Sequence, residues 1–160
     1  MKFNRYIIIL ACVCLAVAGL LVGKTLRKRP AAPIVEVTGF EYVILEIMGM
    51  RGSTCYEILP KGSEAEISFY EIRYREGKDV KELVKRTSCP EETFVSLLNQ
   101  CTVTGWNGFF GAHPKNVSDG EMFEFRAVVN DGLEIRAEGS ANFPALFSEF
   151  RGALNRMLNE

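Results

Sequence analysis

The chain has 160 residues, a formal net charge of −1 and a single histidine. That length suits one domain, since single cores are commonly built from about 100 to 150 residues. All 20 acidic residues lie after Val35 whereas six of the 19 basic ones precede Pro30, so the remainder carries 20 acidic against 13 basic side chains, a net charge of −7. Such a surface excludes nucleic acid as the natural partner, because that affinity rests on Lys and Arg meeting phosphate. It suits solubility beside a membrane, or cationic partners.

The first thirty residues differ in kind from the rest. Lys2 and Arg5 are followed by an uncharged run from Tyr6 to Gly23, then by Lys24, Arg27, Lys28 and Arg29. An apolar run of about 18 residues is near the minimum that crosses a bilayer core as a helix. Ala16-Val17-Ala18 has the small-x-small form of a signal-peptide cleavage site. The apolar run continues past it, however, and a basic cluster directly behind it reads as the flank of an uncleaved anchor. The basic residues after the run outnumber those before it and lean toward a cytoplasmic C-terminal part; the signal-like features favour export. The expectation is a single-pass cell-membrane protein, anchored through residues 6–23, with an extracytoplasmic domain. "ILAC" ending at Cys12 has too short an apolar lead for lipidation.

Residues 30–38, "PAAPIVEVT", form a short linker, and the domain is expected over 39–160. "FEYVILEIMGM" is rich in aromatic and β-branched residues and predicts a strand; "STCYEILP" predicts its hairpin partner, ending at Pro60-Lys61-Gly62-Ser63. "EAEISFYEIRYREGKD" alternates with period two and closes on a turn at Glu76-Gly77-Lys78-Asp79. Val80, Val84 and Thr87 favour a fourth strand over 80–87, although Asp79 and Glu82 could also form a helix capping box. "SCPEETFVSLLNQC" predicts a helix with Ser88 as N-cap, Pro90 in the first turn and Glu91 at N3. If Cys89 and Cys101 open and close that helix, its rise separates them by about 18 Å. Disulfides need Cα atoms within about 7 Å, so any bridge would use Cys55; otherwise the three thiols are small buried apolar groups.

A glycine-rich loop, "TVTGWNGFFGAHPKNVSDG", precedes two more strands, "EMFEFRAVV" and "LEIRAEG", joined at Asn130-Asp131-Gly132, a strong hairpin signal. "PALFSEFRGALNRML" closes the chain as an amphipathic helix. The fold class is therefore α+β: an antiparallel sheet of five to six strands with two helices on one face, preceded by an N-terminal transmembrane helix.

Chemistry-bearing patterns are sparse. His113 lies in "GAHPK" with no acidic residue within five positions to orient it. No Cys-x-x-Cys or His-rich spacing points to a metal, and no glycine loop leads into a phosphate-binding helix, so no cofactor is expected. Glu134 and Glu138 share a strand face, but that face reads as solvent. "GSANFP" has small polar residues of the kind that surround nucleophiles. Each can equally serve the backbone. Gly139 can take positive φ, Ser140 or Asn142 can cap the next helix, Pro144 suits its first turn, and Phe143 can staple onto Phe147. A catalytic Ser140 would lack a base. "GWNGFFG" sets three aromatics between glycines, either as a plug for the core or as a contact surface.

The stretch from Trp106 to Leu154 resembles a family of uncharacterised extracytoplasmic proteins and lipoproteins of Firmicutes. Its signature is a W-x-G-F loop (Trp106, Gly108, Phe109), a D-G-x-x-F element (Asp119, Gly120, Phe123), a D-G turn (Asp131, Gly132) and a G-S-N-x-F-P corner followed by a final helix. Here the corner reads G-S-A-N-F-P, with Asn142 moved next to Phe143. The resemblance implies an envelope location and this α+β order, and no known activity. The leading expectation is a domain that binds an envelope protein or ligand without catalysis through Trp106, Asn107, Phe109, Phe110, Asn142 and Phe143. The rivals are a small hydrolase-like enzyme using Ser140 or His113, and a structural subunit of an envelope complex.

Overall fold

A computed structural model describes residues 32–50 and 52–160. The apolar run at 6–23, with the expected transmembrane helix, lies outside the described residues. Among these, no helix is long and apolar enough to cross a membrane. The described residues form one compact unit.

Seven strands build one mixed sheet: β1 (Phe40–Gly49), β2 (Gly52–Lys61), β3 (Glu64–Arg75), β4 (Lys78–Pro90), β5 (Phe110–Gly111), β6 (Met122–Val129) and β7 (Leu133–Ser140). Their spatial order is β4-β3-β2-β1-β6-β7-β5. Every pairing is antiparallel except β5 with β7, which is parallel. The expectation of a wholly antiparallel sheet of five to six strands is thus corrected by β5. A strand of two residues has no alternation to read, and its pairing to β7 depends on tertiary contact. Residues 80–87 are strand, as their β-branched pattern favours, within a β4 that reaches Pro90. The turn at Asn130, Asp131 and Gly132 forms with positive φ at all three positions.

Two helices, α1 (Glu91–Gln100) and α2 (Phe147–Asn159), bury Phe94, Leu97 and Leu98, and Phe147, Phe150, Ala153, Leu154 and Leu158, respectively. These meet Val43, Leu45, Ile47, Tyr56, Ile58 and Ile67 of the central strands in one core cluster. Both helices start later than the sequence pattern implies. Pro90 is the N-cap of α1 and offers no side-chain bond; the Glu91 N–H donates instead to the Ser63 carbonyl at 3.0 Å. Ser88 remains in β4, where its hydroxyl donates to the Glu64 carboxylate at 2.9 Å. The capping-box reading fails because pairing with β3 holds residues 88–90 in extended geometry. Cys89 therefore lies within β4 and does not open the helix, and all three thiols among the described residues are free. Similarly, α2 begins at Phe147 behind Leu146, which takes φ 63°, with no side-chain cap from Ser140 or Asn142.

The linker is not a loose connector. Asn99 accepts from the Val37 N–H at 2.7 Å and returns a bond to its carbonyl at 2.8 Å. Thr104 does the same for Val35 at 3.0 and 2.9 Å. Asn130 accepts from the Thr38 N–H at 2.8 Å and donates to the Glu36 carbonyl at 2.7 Å. Three side chains thus satisfy the backbone of an extended strap that has no strand partner, and the folded unit reaches back to Val35.

Candidate functional site

The glycine-rich loop divides at Gly108. Before it, a single 3₁₀ turn (Val103–Trp106) drives Trp106 into the core, where it is 2% exposed. Its ring meets Phe125 edge-on at 5.0 Å and Phe150 at 5.5 Å, and its indole N–H donates to the Ala145 carbonyl at 3.0 Å. The polar atom of a buried tryptophan is thereby satisfied. After Gly108, which takes φ 76°, the chain runs out along the sheet edge as β5. Phe109 packs toward Phe123 at 6.2 Å, whereas Phe110 points outward and is 71% exposed.

Beneath this edge, Phe143 stacks on Phe147 with centroids 4.7 Å apart and lies 5.4 Å from Phe123. The staple expected of Phe143 is therefore present. Of the six residues read as a contact surface, the structure assigns Trp106 to the core and Phe109 and Phe143 to its half-buried rim. Asn107, Phe110 and Asn142 remain exposed. Asn107 is also tied down, accepting from the Arg136 N–H at 3.2 Å.

The "GSAN" corner closes the same edge. Gly139 does not take positive φ; Ala141 does, at 49°. The need for glycine is steric. A Cβ on Gly111 or on Gly139 would collide with the Asn142 backbone carbonyl, which lies over both, and a Cβ on Gly139 would also press on the Phe123 ring. With no side chain at either position, β5 runs beside β7 with Gly111 opposite Gly139. Two residues beyond Gly111, His113 comes alongside Ser140. The Ser140 Oγ lies 2.8 Å from His113 Nδ1, and His113 Nε2 lies 2.7 Å from the Val117 carbonyl. In the sequence Ser140 has no base near it; the fold brings the His113 imidazole to it from 27 positions away. The signal that could have found it is the glycine pair that permits the parallel register.

The corner is braced from α2. Arg151 grips the Glu121 carboxylate at 2.6 and 3.3 Å, and the Glu121 carbonyl accepts from the Ala141 N–H at 2.8 Å. This bidentate pair holds the Arg151 guanidinium above its ordinary range; the Glu121 bond is the first cause and burial opposes it.

Two other regions carry polar chemistry. On the sheet face away from the helices, buried Cys55 lies 3.4 Å from the Lys81 ammonium, which pairs with Glu57 at 2.6 Å and Glu46 at 3.6 Å. Burial pushes the Cys55 thiol up to about 11, against the lowering effect of Lys81. It is the reverse of an activated thiolate. A cleft of about 490 Å³ opens beside the β1–β2 turn, lined by Thr54, Glu71, Arg73, Glu121 and Arg151 among others. Its charged groups are mutually paired, Arg73 with Glu71 at 2.7 Å and Arg151 with Glu121, and none of the sequence-predicted contact residues lines it. Among the described residues no three His, Cys, Asp or Glu side chains converge as metal ligands.

No protein-family model, curated protein or solved structure matches the chain.

Proposed function

We propose that the protein is a membrane-anchored, extracytoplasmic binding domain whose contact surface is the β5 edge, with Phe110 as its apolar anchor. The observation that carries the reading is the exposure of Phe110, 71%, on a base fixed by Trp106, Phe109 and Phe143. Rigid aromatic anchors contribute most to binding when little ordering cost remains on association. Asn107 and Asn142, exposed on the same edge, supply a polar rim. The net charge of −7 after Pro30 favours a partner with a basic surround. The apolar run at 6–23 supports the anchor, and the resemblance of the Trp106–Leu154 stretch to extracytoplasmic proteins supports the side of the membrane.

A membrane-impermeant maleimide applied to intact cells tests the location. Cys55 and Cys101 are buried and poor reporters, so Asp131→Cys at the exposed hairpin turn is the better one. Labelling at that position before lysis is the expected result. Labelling only after lysis places the domain inside and removes the envelope reading.

A further inference from the structure

We infer that Ser140 and His113 form a nucleophile–base pair able to cleave short-chain carboxylic esters. A backbone carbonyl can only accept a hydrogen bond, so the 2.7 Å contact to Val117 fixes the His113 proton on Nε2. Nδ1 is then the free lone pair, and the 2.8 Å contact is the Ser140 hydroxyl donating to it. This is the arrangement an activated serine needs: hydroxyl on base, and base oriented by a third group. Here the orienting group is a carbonyl dipole in place of a carboxylate.

The pair owes its geometry to backbone pairing. Gly111 and Gly139 admit the Asn142 carbonyl between strands, and the parallel β5–β7 register carries His113 to Ser140. The reaction follows from these atoms. Ser140 Oγ bonds to the ester carbonyl carbon while its proton passes to His113 Nδ1. The carbon–alkoxy bond breaks, and the alcohol departs with that proton. Water then attacks the acyl-serine, giving one proton to Nδ1, which returns it to Ser140 Oγ as the carboxylic acid leaves. The N–H of the residue after the nucleophile, Ala141, is committed to Glu121. The Asn142 carboxamide, held among the described residues only by a 3.5 Å bond to the Ala112 carbonyl, is the donor for the developing oxyanion. His113 is exposed and the 490 Å³ cleft does not include the pair, so the pair meets an ester at an open surface, where a short acyl group needs the least enclosure. This activity goes beyond the binding role and stands or falls without it.

The test uses the full-length chain in mild detergent with a fluorophosphonate probe, peptide mass spectrometry, and p-nitrophenyl acetate turnover. Modification of Ser140 should exceed that of exposed Ser148 in the same digest by about 100-fold or more. In His113→Gln it should fall by about 10²-fold or more, the usual span of general-base assistance, with turnover lost in Ser140→Ala. Should wild-type Ser140 react no faster than Ser148, the pair is a structural clip and the inference is overturned; this comparison needs no variant to fold. Equal Ser140 reactivity in wild type and a folded His113→Gln would overturn it as well.

Discussion

Trp106 and Phe110 stand four residues apart in one glycine-rich loop and have opposite fates. Trp106 is 2% exposed, ringed by Phe125, Phe147 and Phe150, and hydrogen-bonded through its indole. Phe110 is 71% exposed on an edge strand. The intervening Gly108, at positive φ, turns the chain from the core to the edge. One half of the loop therefore belongs to the core, and the other half, with His113 and the Ser140 corner, lies at the sheet edge. A motif that reads as a single aromatic cluster in sequence is two devices in space.

Variants on the two sides should separate cleanly. Trp106→Ala removes a buried ring and leaves the Ala145 carbonyl without its donor, so it should cost about 3–5 kcal/mol in urea unfolding. A cost near zero would mean that the buried half is not core. Gly139→Ala should cost less, about 1–3 kcal/mol, because the added methyl meets the Asn142 carbonyl and the Phe123 ring. It should also pull His113 and Ser140 apart, visible as a change in the histidine NMR signals. Stability unchanged in Gly139→Ala would show that the β5–β7 approach is loose.

A smaller effect comes from Cys55 on the open face. The folded thiol keeps its proton to about 11 while an unfolded one loses it near 9.0. Unfolding thus releases a proton in that window, and stability falls as pH rises through it. Comparing urea midpoints of the wild type and Cys55→Ala from pH 8 to 11 isolates this contribution: the wild-type advantage should shrink with pH. A constant difference would show that burial does not hold the thiol protonated. The smallest effect is that of Phe110→Ser, expected within about 0.5 kcal/mol, as for other exposed positions.

Much of the sheet was legible because half-buried strands alternate: "EMFEFRAVV" and "LEIRAEG" became β6 and β7 with Phe123, Phe125, Ile135 and Ala137 inward. The features missed were those that local pattern does not encode. Ser88 and Pro90 look like a helix start, yet pairing with Glu66 and Glu64 of β3 keeps them in a strand. Gly139 looked like a conformational device and proved to be a steric one. The strap at 35–38 reads as a Pro/Ala linker because its clamps, Asn99, Thr104 and Asn130, lie 62 to 94 positions away. The Ser140–His113 contact was hidden for the same reason, since it depends on a two-residue parallel strand. The burial of the aromatic loop was only partly legible: its three rings stand out in the sequence, but which of them faces outward depends on the turn at Gly108.

The division of the loop is tested most directly by a photo-crosslinking amino acid placed in turn at Phe110 and at Leu133, a partly exposed control on the same sheet, in cells producing the full-length chain. Position 110 should give a discrete crosslinked species that position 133 does not give and that Asn142→Ala weakens. Identical patterns from both positions, or uncrosslinked chain alone, would rule out the β5 edge as a binding surface.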